Sequence, residues 1–122
     1  MAKTNGFANP ASLAHHFRDH ANDFGVETMA DYLALADGFL GGTAKPGVLE
    51  GARSRKGKPG DLVRYEPGLD WFGVISSSGV IRTFFRPVPC ASLPTSIRAH
   101  YYSTGRCHKH SDNLAYFMEC SK

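Results

Sequence analysis

The sequence predicts an α+β domain in which N-terminal helices pack on a twisted antiparallel β-sheet and a short helix closes the chain. Three observations carry this prediction. Apolar residues recur at three- and four-residue spacings over the first 40 positions, short strand-like runs between glycine turns fill the middle, and a capped amphipathic stretch ends the sequence. With 122 residues, 42% of them hydrophobic and 20% charged, the chain can bury one core but has little room for a second.

Residues 1–11 are small and polar and are expected to form a flexible leader before a single domain over 12–122. In Ser12–Phe24, Leu13, His16, Phe17 and His20 share one face while Arg18, Asp19 and Asn22 face away, predicting a helix that Gly25 ends. Thr28 followed by Asp31 reads as a weakened capping box. Tyr32, Leu35, Ala36 and Phe39 then form the apolar stripe of a second helix, stopped by Gly41 and Gly42.

From Gly42 to Gly60 three lysines and two arginines face only Glu50, among glycines and prolines, and a basic flexible loop is predicted. Asp61–Tyr65, Phe72–Ser76 and Val80–Arg86 follow as three short strands of an antiparallel meander. Neither face of the third is uniformly apolar, because Arg82, Phe84 and Arg86 alternate with Ile81, Thr83 and Phe85. After Pro87, Pro89 and Pro94, Ile97–Ser103 is read as a further strand. Ser111 or Asp112 caps a last helix whose Leu114, Phe117 and Met118 are expected to face the core.

Lysine and arginine total 14 and aspartate and glutamate 11, a net charge of +3 that permits nucleic-acid binding without requiring it. No window reaches the roughly 18 apolar residues of a membrane helix, and no signal-peptide pattern opens the chain. Cys90, Cys107 and Cys120 are an odd set, which disfavours a disulfide scaffold, although Cys107 and Cys120 could bridge. The run CHKH invites a zinc reading, yet no second compact ligand pair completes a site, so no metal and no cofactor are expected. Nucleotide-binding, zincin and serine-hydrolase motifs do not occur.

The remaining chemistry suits a small nuclease. An imidazole such as His20 can take the proton of a ribose 2′-hydroxyl as that oxygen attacks phosphorus; its other reading is a helix histidine packed against Phe17 and Phe24. His16, one turn earlier, either orients it or packs on the sheet. Arg82 can clamp phosphate and Thr83 can donate to it, but neighbours on a regular strand face opposite ways, so both reach one phosphate only if the strand twists or bulges. Otherwise they are an exposed cation and an ordinary strand threonine. Tyr116 can hold a phosphate oxygen or stack on a base, and Asn113 is either a helix-start residue or part of the site. Arg64, Arg86, Lys56 and Lys58 are further candidates for RNA contact, with Arg53 and Arg55 in the same basic loop.

Five segments in register, HFRDHANDFG (16–25), TMADYLALADGFL (28–40), GDLVRYEP (60–67), FGVISSSGVIRTFFRP (72–87) and HKHSDNLAYF (108–117), resemble the C-terminal ribonuclease domains of bacterial polymorphic and contact-dependent-inhibition toxins. Those domains belong to the superfamily of barnase, the EndoU nucleases, the tRNA-cleaving colicins and the RelE toxins. The resemblance implies that fold, with His20, Arg82, Thr83, His108 and Tyr116 in catalysis and His16 and Asn113 beside them. It also implies a monomeric toxin domain exported within a larger protein, cutting tRNA or other RNA without a metal in the target-cell cytoplasm, and blocked by a cognate immunity protein. The segment 88–107 departs from the family pattern, and His110 competes with His108 for the terminal position.

The expected function is therefore an endoribonuclease yielding 2′,3′-cyclic phosphate and 5′-hydroxyl ends. The alternative is a noncatalytic RNA-binding module using the Arg53–Lys58 loop with Tyr65, Trp71, Phe72, Tyr101 and Tyr102 as stacking platforms.

Overall fold

A computed structural model describes residues 3–55 and 58–121, with residues 54, 55, 58 and 59 described by their backbone alone. Helix α1 (Pro10–Phe24) starts two residues earlier than expected, because the Asn9 side chain accepts from Ser12 N and Pro10 fits the first turn. It ends at Gly25, whose φ of 65° supplies the left-handed cap. Helix α2 (Met29–Leu40) is capped by Thr28, which accepts from Asp31 N, as the sequence predicts.

Strands β1 (Leu49–Arg55), β2 (Lys58–Glu66), β3 (Trp71–Ile75) and β4 (Ile81–Phe85) form one antiparallel sheet in the order β1-β2-β3-β4. The last three are the expected meander. The basic stretch expected as a loop instead contributes β1 and the start of β2. Glycines and arginines weaken its intrinsic strand preference, but pairing Leu49–Arg53 with Asp61–Tyr65 satisfies its backbone, and charge is tolerated on an edge strand. Gly51 also lets the C-terminal helix approach, since a Cβ there would lie 2.5 Å from Ser121 Cβ.

Helices α1 and α2 cover one face of the sheet. Tyr32, Ala36 and Leu40 of α2 meet Ile75, Ile81 and Phe84, with Phe17 and Phe24 of α1 packed around them. Phe24 stacks on Phe84 at 4.1 Å, and burying a ring of that size contributes about 1.5–3 kcal/mol. Phe7 joins this core and pairs with the free edge of β4 through Ile81 N to Gly6 O, while Asp37 accepts from the Lys3 and Thr4 amides. Residues 3–9, expected to be a loose leader, are thus tied to the sheet and α2.

The opposite face carries a second cluster of Val63, Tyr65, Phe72 and Val74 under helix α4 (Asn113–Cys120). Asp112 caps α4, and Phe117 is buried as expected. Leu114 and Met118 are not in the core. They are 48% and 57% exposed, because α4 turns its Asn113, Phe117, Tyr116 and Cys120 side to the sheet.

Residues 97–103, expected as a strand, lie instead in helix α3 (Thr95–Ser103). At its start, Ile81, the edge of β4 is paired with the backbone around Phe7, and Arg98 folds back onto the Leu93 and Ala91 carbonyls. A disulfide joins Cys90 to Cys107 and leaves Cys120 as a free thiol, which corrects the expectation that Cys107 and Cys120 might bridge. Among the described residues no helix is long and apolar enough to cross a membrane.

Candidate active site

Helix α1 lays His20 over β4. Its ring stacks on Phe85 with centroids 5.2 Å apart, and its Nδ1 lies 3.6 Å from Asp23 Oδ2, one turn further along. The same carboxylate oxygen accepts from Arg86 N at 3.2 Å, so Asp23 ties the histidine to the end of β4. His20 therefore neither packs into the aromatic core nor floats in solvent. It stands half-buried, lining a cleft of about 830 Å³.

Arg18, Asp19 and Asp23 of α1 line one side of this cleft, Phe85 and Arg86 its base, and Tyr101, Arg106 and His108 the far side, with Tyr116 between. Three arginines against two aspartates make it cationic, as a phosphate-binding groove requires. His16 takes the packing role. Its ring stacks on Phe7 at 5.2 Å, its Nδ1 is buried without a hydrogen bond, and burial, helped by His20 and His15, pushes its pKa down.

Tyr116 is clamped among rings: His108 stacks parallel to it at 4.5 Å, and Phe72 lies at 5.0 Å. Burial raises its pKa, reinforced by the neighbouring Cys120 and opposed by Arg53. It is a protonated platform at neutral pH.

His108 is held by a polar chain. Asn113 Nδ2 donates to the Pro87 carbonyl at 2.9 Å and to Asp70 Oδ1 at 3.2 Å, which leaves Asn113 Oδ1 to accept from His108 Nε2 at 2.8 Å. Tyr65 donates to the same Asp70 oxygen at 2.7 Å. Asn113 is the first residue of α4, directly after its cap Asp112, as the helix-start reading has it, and its side chain is turned to His108. With Nε2 engaged, the bare nitrogen of His108 is Nδ1, which is buried without a partner. Burial lowers the pKa of His108, partly offset by the bond to Asn113, so the ring is neutral at pH 7. Neither nitrogen faces the cleft freely; its stacked face positions Tyr116. His110 lies 5.9 Å from Tyr116, ring to ring, and 5.6 Å from His108.

Arg82 and Thr83 do not line the cleft, although they share the sheet face beneath α4 with it. A bulge decides this: Thr83 pairs with Val74 and Ile81 with Ile75, so Arg82 is the extra residue and turns to the same side as Thr83. Arg82 Nε donates to Asp61 Oδ1 at 2.9 Å. Arg64 points the other way into the protein, bonded to Glu50 at 2.7 Å and to the Phe39 and Gly42 carbonyls at the end of α2, which removes it from any RNA surface. Lys56 lies outside the described residues, and Lys58 opens β2. Of the proposed stacking residues, Tyr65 and Phe72 are buried in the second core cluster, which leaves no face for a base.

Asp23, Phe85 and Asp61 were not singled out from sequence. Only Asp23 left a local signal, its i+3 spacing from His20; the other two act through contacts across the sheet. Among the described residues, no three histidine, cysteine or acidic side chains come together as metal ligands. No model of a known protein family matches the chain, and no curated protein matches it.

Proposed function

We propose that this protein is an endoribonuclease that works by activating the 2′-hydroxyl of RNA, with the cleft under α1 as its active site. The observation that carries the reading is the placement of His20: a carboxylate-oriented imidazole on an aromatic floor, in a cationic cleft beside Arg86 and Tyr116. His20 takes the 2′-hydroxyl proton, and the oxygen forms a bond to phosphorus. The bond from phosphorus to the 5′-oxygen breaks, and that oxygen leaves with a proton from solvent. Arg86 neutralises charge gathering on the phosphoryl oxygens, Tyr116 supports the substrate, and His108 with Asn113 positions Tyr116.

The sequence resemblance extends this reading to a toxin domain carried by a larger exported protein, acting on tRNA in a competing cell and restrained by an immunity protein. The test is incubation with total bacterial RNA in EDTA, alongside His20→Ala. Fragments ending in 2′,3′-cyclic phosphate are expected, with a rate about 10²–10⁴-fold lower in the variant. Cutting of DNA, which lacks the attacking hydroxyl, or no cutting of any RNA, overturns the proposal.

A further inference from the structure

We propose that Arg53 and Arg82, held side by side by the buried carboxylate of Asp61, form a phosphate subsite outside the cleft that grips the RNA backbone away from the bond being cut. This rests on the ribonuclease reading and gives the substrate a second anchor. The β1–β2 register sets Arg53 opposite Asp61, and the bulge in β4 brings Arg82 to the same face. Arg53 Nη2 meets Asp61 Oδ2 at 3.3 Å and Arg82 Nε meets Oδ1 at 2.9 Å.

The burial is lopsided. The Asp61 side chain is 1% exposed, whereas those of Arg53 and Arg82 are 37% and 40% exposed. A purely internal ion pair would hide its cations as well. Here the carboxylate lies underneath and orients two guanidinium forks toward solvent, an arrangement suited to planar, bidentate recognition of phosphate. Asp61 is then a positioning residue. Tyr116 links this pair to the cleft: it lines the cleft and packs on Phe72 and Phe85, on the sheet face that carries Arg53 and Arg82. A single strand entering beside His20 and crossing Tyr116 meets the arginine pair on the same sheet face, with the Thr83 hydroxyl next to Arg82.

The experiment measures binding separately from cutting. A single-stranded RNA methylated at every 2′-oxygen cannot be cleaved by this chemistry, so its affinity is titrated against salt for the whole chain and for Arg53→Gln, Arg53→Lys and Arg82→Gln. Thermal melts confirm that each variant is folded. Each glutamine variant is expected to weaken binding about 3–10-fold near 0.1 M salt and to lower the slope of log K against log salt by about one. Arg53→Lys is expected to restore the slope but only part of the affinity, because ammonium keeps the charge and loses the fork. On native RNA the loss in kcat/KM is expected mainly in KM. Cleaving, RNA-binding wild type beside folded glutamine variants of unchanged affinity and slope overturns the subsite and leaves the ribonuclease reading standing. A protein that binds methylated RNA with the expected slope changes but cuts no native RNA supports the subsite and overturns the ribonuclease reading.

Discussion

The two walls of the cleft are built in opposite ways. The wall bearing His20 stands on packed rings: Phe84 is fully buried, stacked on Phe24 and met by the tilted rings of Tyr32 and Phe39 and the edge of Trp71, and α1 and α2 are anchored through it. Neither α1 nor α3 has a fully buried residue, but α1 packs Leu13, Phe17 and Phe24 on the first core cluster, whereas α3, in the facing wall of residues 88–108, joins neither cluster. That wall is held by the Cys90–Cys107 disulfide, by Cys90 N to His108 O and His108 N to Val88 O at 2.8 and 3.0 Å, and by the Asn113 chain. One wall rests on apolar burial and the other on a covalent link and directional bonds, so the second should loosen while the first stays folded.

The first wall depends most on Phe84. Phe84→Ala is expected to lower global stability by about 3–5 kcal/mol in denaturant unfolding, because the ring is completely enclosed. Reducing the disulfide, or Cys90→Ser with Cys107→Ser, is expected to lower the opening free energy of 90–107 by about 2–4 kcal/mol, read by amide hydrogen exchange. The amides of β3 and β4 should keep their protection; an equal loss there would show that the two walls are one cooperative unit.

Asn113→Ala leaves the buried His108 Nε2 without its acceptor and is expected to destabilise by about 1–3 kcal/mol. It should also drop the NMR titration midpoint of His108 further, since the bond to Asn113 favours the protonated ring. His16 and His108 sit on opposite walls, and both have lowered pKa values. The unfolded chain takes up protons near pH 6.5 while these native rings remain neutral, so stability is present above that pH and falls as the pH drops toward the folded pKa values. His16→Phe should flatten that slope by up to about one proton in thermal melts across pH 5–7.5. The smallest effect is expected at Tyr102, exposed on α3 with Lys109 Nζ 4.3 Å from its ring centre. Tyr102→Ala should cost about 0.5 kcal/mol in denaturant unfolding, and a much larger value would mean that the outer wall is better packed than its burial shows.

Much of the first wall was legible in the sequence. The stripe of Tyr32 and Ala36, the Thr28 cap and the Gly25 stop are local signals, readable within a turn or two of helix. The second wall was not. Ile97–Ser103 carries β-branched and aromatic residues that suit a strand, but the segment pairs with no strand and winds into α3 instead, with Arg98 bonded back to the Leu93 and Ala91 carbonyls. His20 and Tyr116 were readable as chemistry-bearing residues, whereas the inward turn of Arg64 and the covered nitrogens of His108 were not.

By itself the sequence determined the α+β class, the helices α1, α2 and α4, and the three-stranded meander, because hydrophobic periodicity, caps and turn glycines act between near neighbours. Tertiary structure alone decided that a basic stretch becomes β1, that Cys90 rather than Cys120 pairs with Cys107, and that a bulge turns Arg82 onto the face of Thr83. Each depends on which distant segment offers a free backbone edge, a matching thiol or a shifted register, and no residue carries that information without its partner.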